Sequence, residues 1–149
     1  RLLERLLPAL SALPENQTDG QPGQVILEQI FNRVAEDVAS EHAVHVRSTE
    51  MGTRLNEIVS TLSEVGILSE VQDEGDVYRL RNIGCPCRST ANENRAPCEA
   101  DRYSIELLVG SSVQQVETIA GGSDCCEYIV QKSVQAPEVS HELRRTESR

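Results

Sequence analysis

An α+β fold, with a small antiparallel sheet of two hairpins packed against three to four helices, follows from three observations. Apolar residues recur at helical spacing through most of the first 65 residues. Two pairs of β-rich segments then surround turn-forming runs, Asp73-Glu74-Gly75-Asp76 and Gly121-Gly122-Ser123-Asp124. Another helical stretch lies between those pairs, and the two kinds of element together make a sheet packed on helices.

The elements can be taken in order. Leu2, Leu3, Leu6, Leu7, Leu10 and Leu13 form a helical stripe over residues 1–13, which Pro8 kinks or restarts. Pro14–Gly23 is a polar, turn-rich linker. A long helix is expected from Gln24 to His42, with Leu27, Ile30, Phe31, Val34 and Val38 on one face and Glu28, Glu36, Asp37 and Glu41 opposite. His42 and His45, near its end, complement the helix dipole. A further helix is expected from Thr49 to Val65, with Gly66 ending it in the left-handed conformation. Ile67–Gln72 and Val77–Asn82 form the first hairpin. Cys85–Pro97 is irregular or holds a short helix. Glu99–Val109 is helical and ends at Gly110. Val113–Ala120 and Cys125–Gln131 form the second hairpin. From Lys132 onward periodicity is lost and a tail is expected.

These expectations divide the chain into a helix and loop over 1–23, a core domain over 24–131, and a tail over 132–149. The first segment reads either as a core helix or as a dimer seam or part of a missing N-terminal domain, and the missing domain is adopted as the expectation. No apolar run is long enough to span a bilayer, and no signal peptide is recognisable. The net charge of −10 disfavours direct contact with nucleic-acid backbones. Without secretory signals, five cysteines are expected as reduced thiols or metal ligands in the cytoplasm.

All five lie between Cys85 and Cys126, beside glycines, prolines or turns. Cys85, Cys98 and Cys126 are spaced C-x12-C-x27-C, unlike the paired knuckles of a zinc ribbon. Each falls at the boundary of an element, and a helix N-terminus at Cys98 would favour the thiolate. Three thiolates from separate segments suit an iron–sulfur cluster. Candidates for a fourth ligand are Cys87, Cys125, Glu99 and Asp124. Cys125 and Cys126 are neighbours on a strand and point to opposite faces, so one at most faces a shared site. The competing readings are small half-buried cysteines with no common ligand, or a disulfide such as Cys87 with Cys98. No C-x-x-C motif occurs and no histidine sits close in sequence to a cysteine, so an enzyme is not expected.

The run Tyr78-Arg79-Leu80-Arg81-Asn82, then Cys85-Pro86, Pro97-Cys98, Ile105-Glu106-Leu107-Leu108-Val109-Gly110, Val113, Val116, Ile119, Gly121 and Cys126 resembles the C-terminal sensor domain of SufR-like, winged-helix transcriptional regulators. The resemblance extends over roughly residues 24 to 131. It implies a cytoplasmic homodimeric repressor whose absent N-terminal winged helix binds DNA. It also implies a 4Fe-4S or 2Fe-2S cluster held by Cys85, Cys98 and Cys126. Cys87, where the family usually has an aromatic residue, and Cys125 depart from the pattern. The alternative is a regulatory domain that holds zinc or a small organic ligand and no cluster.

Overall fold

In the computed structural model, which describes residues 2–85 and 87–132, the chain forms α1 (Leu2–Ser11), α2 (Gly23–Ala43), α3 (Met51–Glu64), β1 (Leu68–Asp73), β2 (Val77–Ile83), α4 (Arg88–Glu93), α5 (Ala96–Val109), β3 (Val113–Glu117) and β4 (Cys125–Gln131). The four strands make one antiparallel sheet in the order β1-β2-β4-β3. The expected α+β architecture is the observed one, and the two hairpins join through β2 and β4. The tail expected beyond Lys132 lies outside the described residues. Among the described residues no helix is long and apolar enough to cross a membrane.

Alternation along β2 and β4 decides which face of the sheet is covered. Leu80, Asn82, Cys126, Tyr128 and Val130 turn toward the helices and are buried. They pack with Leu55, Ile58 and Leu62 of α3 and Ile105, Leu108 and Val109 of α5. The opposite face carries Arg79, Arg81 and Glu127, which pair at 2.7 and 3.1 Å, and Glu74, which meets Arg79 at 2.8 Å. A lattice of charges keeps that face wet, the usual arrangement of a one-sided antiparallel sheet.

Helix ends follow local chemistry. Glu50 caps α3: its carboxylate accepts from the Gly52 and Thr53 backbone N–H groups and from the Thr53 hydroxyl. These bonds, the Thr53 hydroxyl first, hold its carboxyl below the usual range. Gly66 and Gly110 follow α3 and α5 at φ 83° and 82°, a conformation that costs glycine nothing.

Three boundaries differ from expectation. α5 begins at Ala96 rather than Glu99, with Pro97 in its first turn, where a missing N–H is harmless. β3 stops at Glu117, after a register shift against β4 between Gln115 and Glu117. The chain then makes a 3-10 turn at Ile119–Gly121, capped by the Thr118 hydroxyl, instead of a tight four-residue hairpin turn. α2 buries only part of its apolar face. Leu27, Ala35 and Ala39 are buried, whereas Ile30, Val34 and Val38 remain 37–48% exposed. α1 docks on α2 through a small separate core of Leu7, Leu27 and Ala96.

Candidate functional site: a thiol-lined apolar pocket

A cavity of about 240 Å³ opens between α2, the start of α5 and the covered face of the sheet. Phe31, Val34, Ala35 and Val38 of α2 form one wall, and Ile67 lies at the sheet side. Cys98, Ala100, Asp101 and Ser104 of α5 form the second wall. Asn82 and Cys126 supply the floor, and Cys85 and Cys87 border it from the β2–α4 connection. The wall is apolar because α2 turns its surplus stripe toward the gap instead of toward a second helix.

The fold therefore brings Cys85, Cys98 and Cys126 to one cavity from a loop, a helix and a strand. Of the four candidates for a further ligand, Cys87 alone borders the same space. Cys125 points away, as alternation requires, and is buried on the opposite face. There its sulfur accepts from Arg81 at 3.5 Å and faces Glu127 at 3.6 Å. Glu99 lies on the outer side of α5, paired with Arg102 at 3.2 Å. Asp124 is an exposed residue in the β3–β4 connection. His42 is half-buried and His45 exposed, and neither lines the cavity.

Burial favours the neutral form of three thiols, Cys87, Cys98 and Cys126. Burial pushes Cys98 up to about 11, against a smaller opposing pull from Arg95. Burial also raises Cys126 despite the Ile119 N–H that its sulfur accepts at 3.4 Å, and it raises Cys87. The expectation that a helix N-terminus makes Cys98 a thiolate is thus corrected: removal from water outweighs the helix dipole. Among the described residues no group of three or more His, Cys, Asp or Glu side chains is disposed to hold a metal ion.

Asp101 is the residue that periodicity missed. It sits three positions after Cys98, on the same side of α5 as the buried Ile105, and borders the cavity. Its Oδ2 accepts the hydroxyl of Tyr128, a fully buried residue, and that hydroxyl in turn accepts from Gln115 Nε2 at 3.2 Å. Burial raises the Asp101 carboxyl, and the Tyr128 bond partly offsets this. The Tyr128 phenol is raised, by burial first and then by Asp101. The available signal was the i, i+3 and i+4 spacing of Asp101 to Cys98 and Ile105, which places a charged residue on the buried stripe.

No family model matches the chain, and no curated protein matches it. One solved structure with a similar arrangement is trafficking protein particle complex subunit 3 from Naegleria fowleri, covalently bound to palmitic acid. It is 12% identical, with a TM-score of 0.47, and the match covers 87% of this chain and 94% of that chain. Neither the family models nor the curated proteins return a SufR-like regulator, and the resemblance to that family is corrected. With it go the assignments to transcription regulation, to a repressor or sensor domain, and to DNA binding through an absent winged helix. The physical reason lies in the residues that carried the resemblance. Leu80, Ile105, Leu108, Val109, Val113 and Ile119 are all buried core positions, and Gly110 is a helix end. Packing alone accounts for them.

Proposed function

We propose that this chain is a binding module, not an enzyme, and that its site is the thiol-lined cavity, which takes a small, mostly apolar molecule. The observation that carries this reading is the cavity itself: about 240 Å³, walled largely by apolar side chains, with Asn82, Asp101, Ser104 and Gln115 as polar groups in its lining. Its volume is just under the range of about 300–1,000 Å³ typical of small-molecule pockets. Every residue that lines it lies between Phe31 and Cys126, so the segment 24–131 is the functional unit. Catalysis by the thiols is disfavoured because burial favours the protonated form of Cys87, Cys98 and Cys126 and, among the described residues, no histidine lines the cavity.

The neutral fluorophore N-phenyl-1-naphthylamine tests this. Its emission is expected to rise and shift to the blue on binding, with a dissociation constant in the micromolar range. Val34→Trp at the rim is expected to weaken binding on the order of tenfold by filling the entrance. Equal binding by a variant that remains folded would move the site elsewhere.

A second reading rests on one observation, that Cys85, Cys98 and Cys126 reach the same cavity from three elements. In that reading these cysteines, with Cys87 as fourth donor, close up from their present separation to hold zinc or an iron–sulfur cluster, which is soft-metal chemistry that thiols suit. Anaerobic reconstitution followed by iron, sulfide and zinc analysis separates the readings. Stoichiometric metal that is lost in Cys98→Ser supports the second.

Five free thiols fit a reducing compartment, and we place the protein in the cytoplasm. A homodimer is the oligomeric form we assign, through the exposed Val25 and Ile30 of α2, which lie outside the cavity lining. A monomeric mass by light scattering would remove it.

A further inference from the structure

We infer that the cavity selects apolar molecules carrying a protonated amine, with Asp101 as the group that receives the amine. This inference rests on the reading of the cavity as a small-molecule site and specifies its ligand.

The argument begins with charge. Among the described residues that line the cavity, Asp101 is the only carboxylate, and no lysine, arginine or histidine accompanies it. The other ionisable groups there are the thiols of Cys85, Cys87, Cys98 and Cys126, and none of these supplies a positive charge. The neighbouring arginines are engaged elsewhere. Arg95 donates to Thr118 Oγ1 at 3.1 Å, and Arg102 to Glu106 at 2.8 Å and Glu99 at 3.2 Å. Asp101 is half-buried. A carboxylate with no counter-charge in its cavity loses part of its hydration, and the cost falls when a cation enters beside it.

The direction of the hydrogen bonds points the same way. Gln115 donates to Tyr128, and Tyr128 donates to Asp101. The chain ends on an acceptor, and no described hydrogen bond reaches the second carboxylate oxygen, Oδ1. The wall therefore offers a ligand an acceptor backed by a negative charge. A protonated amine matches it, with up to three N–H donors on one charged atom. The remaining wall, Phe31, Val34 and Val38, fits a hydrocarbon body. A carboxylate or phosphate head would meet Asp101 as a like charge, inside a chain whose net charge is already −10.

The test compares three probes of one length, n-octylamine, n-octanol and octanoate, by isothermal calorimetry at neutral pH on the full chain and on Asp101→Asn. Asparagine keeps an acceptor for the Tyr128 hydroxyl, so the variant is expected to fold. Octylamine is expected to bind on the order of tenfold more tightly than octanol, and octanoate more weakly than either. In Asp101→Asn the preference for the amine is expected to disappear while octanol affinity is kept. Equal binding of amine and alcohol to the native chain would overturn the inference and leave the cavity reading intact, as would tightest binding of octanoate. Failure of all three probes to bind would overturn both.

Discussion

Tyr128→Ala is expected to lower stability by about 4 kcal/mol, the range found for loss of a large buried ring. Tyr128 lies on β4, one of the two central strands, and is fully buried between the sheet and α5. Truncation leaves a cavity at the centre of the main core. It also strands the half-buried Asp101 carboxyl, whose only described hydrogen-bond donor is the Tyr128 hydroxyl. Total stabilities of such domains are about 5–15 kcal/mol, so the change removes a large share. The midpoint of thermal unfolding should fall by on the order of 10 °C or more. Tyr128→Phe separates the two contributions. It keeps the ring and removes the hydroxyl, and should cost about 1–3 kcal/mol for the donor lost to Asp101. A loss below 1 kcal/mol in Tyr128→Ala, measured by denaturant unfolding, would mean that the sheet does not pack on α5 as described.

Gly23→Ala is expected to release α1 from α2, at a cost of about 2 kcal/mol. Two effects compete here. Alanine in place of glycine within a helix ordinarily stabilises by up to about 1 kcal/mol. At Gly23, however, an added Cβ would lie 2.2 Å from the Leu10 carbonyl oxygen and 3.0 Å from the Leu13 amide nitrogen. Both are backbone atoms and cannot swing aside, so the clash decides the sign. α1 meets the rest of the fold through the small Leu7–Leu27–Ala96 core and lines no part of the thiol pocket. Amide exchange in residues 2–11 should therefore speed up while the sheet keeps its protection. A stabilised variant with α1 still protected would show that the close approach does not exist in solution.

Much of the fold was legible because it is local. The apolar spacing over α3 and the acidic turn at Asp73–Asp76 predicted their elements to within a few residues. Gly66 and Gly110 predicted helix ends that are observed as left-handed glycines. The period of two in a strand also separated Cys125 from Cys126 correctly. What sequence could not supply is long-range. The pairing of β2 with β4 joins residues roughly fifty positions apart and makes one sheet of two hairpins. The exposure of Ile30, Val34 and Val38 depends on how narrow a surface α5 offers to α2. The ionisation of Cys98 was misjudged for the same reason: the helix terminus is visible in the sequence, but the burial that overrides it is not. Asp101 was passed over because a lone acidic residue in a helix usually faces water, and only the fold shows that its partner is Tyr128, on a different element.

The account turns on one cavity, and methyl-resolved NMR addresses it most directly. The protein would be labelled at valine, isoleucine and alanine methyls and titrated with n-octanol. The account predicts saturable shifts confined to Val34, Ala35, Val38, Ile67, Ala91 and Ala100, with Ile129 on the charged face of the sheet unmoved. Saturable shifts centred on any other surface, or no shift at millimolar octanol, would contradict it.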